Sequence, residues 1–322
     1  ARPRLIPQGT NNTCNVTTLE RRIFTRNPDE AARLIADAAT TGKYVAADGR
    51  IVDLTRVPGA LTPDAQSSQL LARQFMSGNA DLAVDGMRTY ASQVFETAAV
   101  NVKYAQAGTN PEVVLYRKRP GLPGQEREEL IKFSRNWIDG ALDQQVIGDA
   151  PSINTEDLAG VHNQIVGKNE ANFVIRGPES FTTPGYMKYA DNFGDKMRVP
   201  QTVKEFKDLL TATKPGDFPI VLQVHTGHPF FGQSGQGGAH VINITGIRET
   251  APGSGKYILD FANQWGEKYN GSMKLEDAYG LMFNPKTNPV PRHAFMPGKP
   301  PENPPPSLDP VLAERDIRRR IN

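Results

Sequence analysis

The sequence predicts an α+β protein, because helical patterns dominate its first half and strand patterns gather in its second half. Residues 62 to 150 are mostly helical in pattern, two more helices are predicted before them, and short β-like runs begin at about residue 170. Strands that follow a run of helices are typical of an antiparallel sheet packed on a helical part. We therefore expect one domain over residues 1–283, with a helical lobe over about 1–150 and a β-rich lobe over about 170–283.

The N-terminal elements carry their own start and stop signals. A helix is predicted from Cys14 onward, with Asn12 or Thr13 able to cap its first turn. The segment NPDEAARLIADAATTG predicts a second helix, which ends at Gly42. The segment KYVAADGRIVDL predicts a hairpin, because its central Asp-Gly pair suits a tight turn between two β-rich runs.

Residues 62 to 150 are predicted to be mostly helical. Three segments have amphipathic patterns: TPDAQSSQLLARQFMSG, VDGMRTYASQVFETAAVNVKYAQAG and GQEREELIKFSRNWIDGALDQQ. The third segment places Leu130, Phe133 and Trp137 on one stripe, which we interpret as a face of the core.

The second half of the chain predicts short strands and one helix. The strand candidates are ANFVIRG, FPIVLQVH, AHVINITGI and KYILDFANQW, and the helix TVKEFKDLL lies between the first two. A Pro-rich tail over 284–322 follows, with KPPENPPPSLDP at its centre, and we expect an extended or polyproline II backbone up to about residue 310. The final LAERDIRRRIN predicts a short basic helix or a solvated terminus.

Composition excludes several classes of protein. Lys and Arg total 37 against 35 Asp and Glu, so the net charge of +2 gives no reason to expect a nucleic-acid partner. No run reaches the roughly 18 apolar residues that a membrane span requires, so we expect no span. The chain begins at Ala1 rather than Met, which leaves room for an upstream domain or pro-segment and says nothing firm about localisation.

Cys14 is the only cysteine, which excludes an intramolecular disulfide and a multi-cysteine metal site. Its predicted place in the first turn of a helix favours a reactive thiol, because the amide dipoles there stabilise a thiolate. Free cysteine is also among the most buried residue types, so a small buried hydrophobe is the alternative. The local pattern leaves both interpretations open.

A thiolate nucleophile requires a base, and His240 is the best placed of the five histidines. It follows the Gly-rich loop GQSGQGG, which leaves room for a substrate, and it opens the strand candidate HVINITGI. If the next strand is antiparallel, its end brings Asn263 beside His240. Asn263 can then orient one ring nitrogen while the other faces the thiol, and Trp265 can keep water off that hydrogen bond.

Three blocks resemble the signatures of papain-like cysteine peptidases. They are QGTNNTC, with a Gln six positions before the cysteine, GGAHVINI, with a small residue before the histidine, and NQWG, which has the Asn-x-Trp-Gly pattern. Their order along the chain also matches the family. The chain departs from the family in having Asn15 in place of an aromatic residue, no neighbouring cysteines, and a longer stretch between Cys14 and His240. It is therefore similar to divergent members of the bacterial or effector type.

The resemblance implies a papain-like α+β fold and a role for each block. Cys14 would be the nucleophile, His240 the general base and then the acid, and Asn263 the orienting residue. Gln8 would donate its side chain to the oxyanion together with the backbone N–H of Cys14, and Trp265 would shield the site. The implied activity is hydrolysis of peptide or amide bonds through a thioester, with a protein or peptide substrate and with neither metal nor organic cofactor.

Other residues allow competing interpretations. His225 and His228 can be combined with His240 into a three-histidine metal site, although their spacing is not that of ligands on a helix, and we favour a place at the rim of the cleft. Asp260 is an alternative orienting residue, but it lies three residues before Asn263 and hence on the opposite strand face. The loop GQSGQGG lacks the Lys-Ser or Lys-Thr ending of a phosphate-binding loop.

The same residues suit two other functions. Deamidation or transglutamination of a glutamine side chain passes through the same thioester, and the long insertion favours a secreted bacterial toxin or effector that acts on one protein partner. The alternative from a different class is a catalytically inactive binding module that keeps the fold. The intact set of Gln8, Cys14, His240 and Asn263 argues against that alternative.

Overall fold

A computed structural model describes most of the chain, namely residues 3, 6–9, 13–56, 59–79, 82–104, 113–119, 127–136, 138–149, 153–168, 170, 173–178, 197–232, 237–286, 288–290 and 295–296. Within these ranges the helices are α1 Cys14–Arg26, α2 Pro28–Thr41, α3 Ala65–Ser77, α4 Tyr90–Tyr104, α5 Leu158–Val166, α6 Val203–Ala212 and α7 Leu275–Gly280. The strands there are β1 Lys43–Val45, β2 Ile51–Asp53, β3 Val113–Arg119, β4 Arg127–Arg135, β5 Leu142–Asp149, β6 Val174–Ile175, β7 Ile220–His225, β8 Ala239–Glu249, β9 Tyr257–Ala262, β10 Gly271–Lys274 and β11 Phe295–Met296. The α+β class predicted from the sequence is confirmed.

The largest sheet has six strands in the order β11-β10-β9-β8-β7-β6. Neighbours from β7 to β11 are antiparallel, whereas β6 runs parallel to β7. Parallel neighbours require a crossover connection, and here that connection contains α6. The sheet is therefore mixed, where the sequence predicted an antiparallel one.

Two of the N-terminal signals, the stop at Gly42 and the Asp-Gly turn, act as predicted. Gly42 ends α2 in the left-handed conformation at φ 71°, which glycine adopts at no steric cost. Strands β1 and β2 pair as the predicted hairpin, with Gly49 at φ 85° in the turn. Helices α3 and α6 also form where the pattern predicted them, and each has a side-chain cap: Asp64 accepts a hydrogen bond from the Ser67 amide and Thr202 accepts one from the Glu205 amide.

The prediction that residues 62–150 are mostly helical was wrong in its last part. Helix α4 ends at Tyr104, and β3, β4 and β5 then form a three-stranded antiparallel sheet. In β4, Ile131 and Phe133 are buried while Lys132 between them is partly exposed, so burial follows the two-residue period of a strand. The helical stripe predicted through Leu130, Phe133 and Trp137 is absent from this strand, and Trp137 itself lies outside the described residues.

The six-stranded sheet separates two apolar clusters. Val221 and Val241 point into the cluster that contains α1, α2, α4 and α5. Their strand neighbours Leu222 and Ile242 point into the cluster that contains α6 and α7. Side chains alternate between the faces of a strand, so one sheet contributes side chains to both clusters. Helix α1 lies against β8, and the candidate site lies where the helix starts and the strand starts.

Helix α1 buries three consecutive charged residues, Glu20, Arg21 and Arg22. The Glu20 carboxylate accepts a hydrogen bond from Ser92 Oγ at 2.6 Å. Arg22 donates to the carbonyl oxygen of Asp217 at 2.9 Å and forms an ion pair with Glu170 at 2.9 Å. Buried charge is stabilised when it is hydrogen-bonded, and these contacts join α1 to several other segments of the chain.

The start of the Pro-rich segment continues the fold. Val290 is buried in the cluster of α6 and α7, and β11 adds an edge strand beside β10. The predicted terminal helix LAERDIRRRIN and most of the predicted polyproline stretch lie outside the described residues. None of the helices described in the ranges above combines the length and the apolar character needed to cross a bilayer.

Candidate active site

Cys14 is the first residue of α1 and is 6% exposed. Thr13 occupies the N-cap position, but its side chain makes no capping hydrogen bond, and Asn12, the other predicted cap, lies outside the described residues. Cys14 belongs to the same apolar cluster as Val241, the neighbour of His240 on β8. The start of the helix and the start of the strand therefore share one buried region.

His240 and Asn263 are joined by a hydrogen bond between Nε2 and Oδ1 at 3.1 Å. The antiparallel register of β8 and β9 explains this contact, because it pairs Asn243 with Ala262 and so returns the end of β9 to the start of β8. The predicted adjacency of the two residues is present in the structure. Both side chains are almost fully buried.

The surroundings of Asn263 determine which nitrogen of His240 carries the proton. Asn263 Oδ1 also accepts the backbone N–H of Trp265 at 3.1 Å, and a backbone N–H can only donate. The atom at this position is therefore an acceptor, so His240 Nε2 must be the donor in the neutral ring. The other nitrogen, Nδ1, is left with the lone pair that a general base requires.

Trp265 covers the ring of His240. The two ring centroids are 4.6 Å apart with an interplanar angle of 23°, which is a stacked arrangement. Phe231 and Tyr269 pack edge-on against the indole. Burial lowers the pKa of His240 to about 4; the hydrogen bond to Asn263 opposes this shift and the positive charge of Arg21 adds to it. The imidazole is therefore neutral at pH 7, the state in which it can accept a proton.

Gln8 lies beside the loop that carries Asn263 and Trp265. Its backbone N–H donates to the carbonyl oxygen of Gln264 at 2.9 Å. The side chain of Gln264 donates to Asn243 Oδ1 at 3.0 Å, and Asn243 Nδ2 donates to the carbonyl oxygen of Thr18 on α1 at 3.2 Å. This series of hydrogen bonds holds the Gln8 segment, the loop after β9, strand β8 and helix α1 in one arrangement.

In the described part of the chain, both ring nitrogens of His228 form hydrogen bonds with backbone groups. Its Nε2 donates to the carbonyl oxygen of Phe283 at 2.9 Å, and its Nδ1 accepts the Val290 amide at 3.1 Å, so neither nitrogen is left to bind a metal ion. His225 Nδ1 accepts the amide of Gly227 at 2.9 Å. Both residues are buried, whereas we predicted a place at the rim of a cleft, because Leu281, Phe283 and Val290 contact them.

Asp260 does not contact His240 in the contacts that the structure gives it. Its Oδ1 accepts a hydrogen bond from Ser272 on β10, and its Oδ2 lies 3.8 Å from Arg248 Nε. Asp260 therefore contacts side chains of β10 and β8, the two neighbours of β9 in the sheet. Residues 233–236 of the predicted Gly-rich loop lie outside the described residues.

Sequence reasoning missed two residues that hold the backbone of Asn263. Arg21 Nη2 donates to the carbonyl oxygen of Asn263 at 3.0 Å, and Asn270 Oδ1 accepts its N–H at 2.7 Å. Arg21 lies two helical turns after Cys14 and on the same side of α1, which was the available signal. That signal was weak because an Arg on a helix is usually exposed.

Comparison with protein-family models, with curated proteins and with solved structures gives no significant match to this chain. The function is therefore inferred from the site residues and their geometry.

Proposed function

We propose that this chain is a papain-like cysteine hydrolase that cleaves peptide or amide bonds. The observation that supports the proposal best is the pair of His240 and Asn263, hydrogen-bonded at 3.1 Å beneath Trp265, on a strand packed against the helix that begins with Cys14. A hydrogen-bonded imidazole with its second nitrogen unprotonated, on a strand packed against a helix that begins with a thiol, supports thiol catalysis.

In the proposed reaction, His240 Nδ1 takes the proton of Cys14 and the thiolate attacks the carbonyl carbon of the substrate. The Cys14 amide and the Gln8 side chain stabilise the oxyanion that forms. When the C–N bond breaks, His240 protonates the leaving amine and a thioester remains on Cys14. Water then attacks the thioester with His240 as base, which releases the acid product and restores the thiol.

The first test measures the reactivity of the only cysteine. The rate of Cys14 alkylation by iodoacetamide is followed from pH 4 to pH 10 in the wild-type chain and in His240→Ala. We expect fast alkylation well below the reference thiol pKa of about 8.5 in the wild type, and a loss of this low-pH reactivity in the variant. His162→Ala is the matched control, because His162 is also buried but its ring packs on Phe173, whereas that of His240 packs on Trp265. Identical profiles for wild type and His240→Ala would contradict the proposal and favour a binding module.

The second test identifies the acyl group. Candidate proteins are incubated with the wild-type chain and with Cys14→Ala, and the products are analysed by mass spectrometry. A broken peptide bond that requires Cys14 indicates proteolysis. A mass increase of about 1 Da on a glutamine indicates deamidation, and a new cross-link or amine adduct indicates transglutamination, since all three reactions share the thioester.

A further inference from the structure

The peptide backbone of Asn263 lies just beyond the last residue of β9, where the strand ladder has ended. Its N–H donates to Asn270 Oδ1 at 2.7 Å, and its carbonyl oxygen accepts Arg21 Nη2 at 3.0 Å. The amide of Gly266 makes a longer contact with the same carbonyl at 3.4 Å. Two side chains thus supply the strongest hydrogen bonds to the peptide that carries the orienting amide.

Arg21 also binds the segment that leads to Gln8. Its Nε donates to the carbonyl oxygen of Ile6 at 2.7 Å. One planar guanidinium therefore connects α1, which starts at Cys14, with the chain before Gln8 and with Asn263. The geometry of the guanidinium, with several donors in one plane, suits such a three-way contact, and a lysine ammonium does not reproduce it.

The burial of Arg21 requires desolvation of a charged group, and packing alone does not explain why the chain has a charged residue here. The residue is 2% exposed, and no carboxylate lies within ion-pair distance of it in the part of the chain that the structure describes. Burial lowers the pKa of Arg21 to about 9, with Glu20 opposing the shift, so the side chain is still charged at pH 7. Removing a charge from water is energetically unfavourable, and an apolar side chain of similar size would avoid that cost.

We propose that Arg21 and Asn270 are positioning residues, which hold the Asn263 peptide so that its side chain fixes the orientation and the tautomer of His240. This inference rests on the proposed function. The positive charge of Arg21 also disfavours the protonated form of His240.

The experiment compares Asn270→Ala with Asn270→Asp, since Asp keeps an oxygen that can accept the Asn263 amide. The tautomer of His240 is read from the ¹⁵N chemical shifts of its ring, and the alkylation rate of Cys14 is measured beside it. We expect the wild type and Asn270→Asp to keep the proton on Nε2. We expect Asn270→Ala to give a mixture of tautomers and a roughly 10-fold to 100-fold slower alkylation at pH 6, which reaches at most the lower limit of the roughly 10²-fold to 10⁴-fold that general acid–base catalysis contributes.

Arg21→Met and Arg21→Lys separate the geometry from the charge. In a Cys14→Ala background, the titration of His240 should move to higher pH in Arg21→Met, because the neighbouring cation is gone, and should stay close to that of the wild type in Arg21→Lys. Both variants should show mixed tautomers. If Arg21→Met does not fold, the Asn270 pair decides the question, because Asn270 is only partly buried.

The outcomes distinguish the two proposals. Equal alkylation profiles for wild type and His240→Ala would overturn both. If His240 controls the thiol but Asn270→Ala leaves the tautomer and the alkylation rate unchanged, the positioning inference alone is overturned. A slower alkylation that Asn270→Asp shares equally would also overturn it, because that result follows from a general loss of stability.

Discussion

At the scale of single residues, the acceptor atom of Asn263 decides which nitrogen of His240 is basic. Because Trp265 donates its amide to the same Oδ1, the amide group of Asn263 cannot turn over without losing that hydrogen bond. An aspartate at this position would also accept both hydrogen bonds, but it would stabilise the protonated ring. The neutral amide of Asn263 therefore orients the ring of His240 and, unlike an aspartate, adds no negative charge that would stabilise the protonated ring.

Gln8 gives the sharpest prediction at this scale. If its side chain donates to the oxyanion, Gln8→Ala should lower kcat by roughly 10²-fold to 10³-fold and leave KM little changed, because a single oxyanion donor has about that effect. The measurement is steady-state kinetics on the substrate identified by mass spectrometry.

The control for Gln8→Ala is Gln201→Ala. Gln201 is exposed and its side chain donates to the carbonyl oxygen of Val199 ahead of α6, so replacing that side chain should leave kcat unchanged. A Gln8→Ala variant with wild-type kcat would contradict the proposed oxyanion role of Gln8.

At the scale of elements, the loop after β9 depends on a contact from the helical part of the chain. Asp85 Oδ1 accepts the amide of Glu267 at 2.5 Å, at the start of the short 3₁₀ turn that follows Trp265. Gly266 has φ 128°, and a Cβ there would lie 2.5 Å from the same carboxylate oxygen. The loop therefore requires glycine at this position for its backbone conformation and for space.

This requirement predicts a difference between two glycine substitutions. Gly266→Ala and Gly253→Ala both introduce a Cβ at positive φ, which costs about 1–2 kcal/mol, but Gly253 lies in the β8–β9 turn with nothing within 4 Å of the added atom. We expect Gly266→Ala alone to slow Cys14 alkylation at pH 6, because it displaces Asp85 and the loop that carries Asn263. Both unfolding free energies are measured by urea titration. Equal alkylation rates in the two variants would contradict the role of this contact.

At the scale of the whole molecule, the buried histidines predict a loss of stability in acid. Burial lowers the pKa of His162, His228 and His240 to about 4, below the unfolded value of about 6.5. The folded state therefore binds fewer protons than the unfolded state between these values. The stability that these groups contribute is complete above pH 6.5 and is lost as pH falls from 6.5 toward 4.

Two buried carboxyl groups change the pH dependence of folding stability in the opposite direction. Burial raises the pKa of Glu20 and of Glu96, so their contribution to stability is complete below about pH 4.5 and is lost as pH rises through the folded value. Glu96 is also bound by Arg88 and by Thr17, and these contacts oppose the shift. The pH dependence of stability is the sum of the contributions from the buried histidines and from the two buried glutamates.

Variants separate these two contributions. In His228→Gln, the fall in unfolding free energy from pH 6.5 to pH 4 should be smaller than in the wild type by about 2–3 kcal/mol. In Glu20→Gln, the fall should be larger, because an opposing group is gone. Urea unfolding at a series of pH values measures both. Curves parallel to that of the wild type would show that these residues do not titrate differently in the folded and unfolded states.

Much of the architecture was predictable because local signals and tertiary packing agree. Asp64, Thr202 and Gly42 mark helix ends by chemistry that acts within a few residues, and the β8–β9 hairpin follows from strand runs separated by a Gly-rich turn. Residues 127–135 were misjudged because a short run with apolar residues at 130, 131 and 133 fits a helix and a strand equally well. Pairing with β3 and β5 makes this segment a strand, and the sequence does not show that pairing.

Local sequence patterns were sufficient to identify the residue types of the candidate site, their order along the chain, and the places of Cys14 at a helix start and His240 at a strand start. The tautomer of His240, the burial of Arg21 and the hydrogen bonds that connect Gln8, Gln264 and Asn243 depend on the folded arrangement. The physical reason is the range of the interactions. Caps and turns depend on residues a few positions apart, whereas burial and side-chain hydrogen bonds depend on segments that meet only when the chain folds.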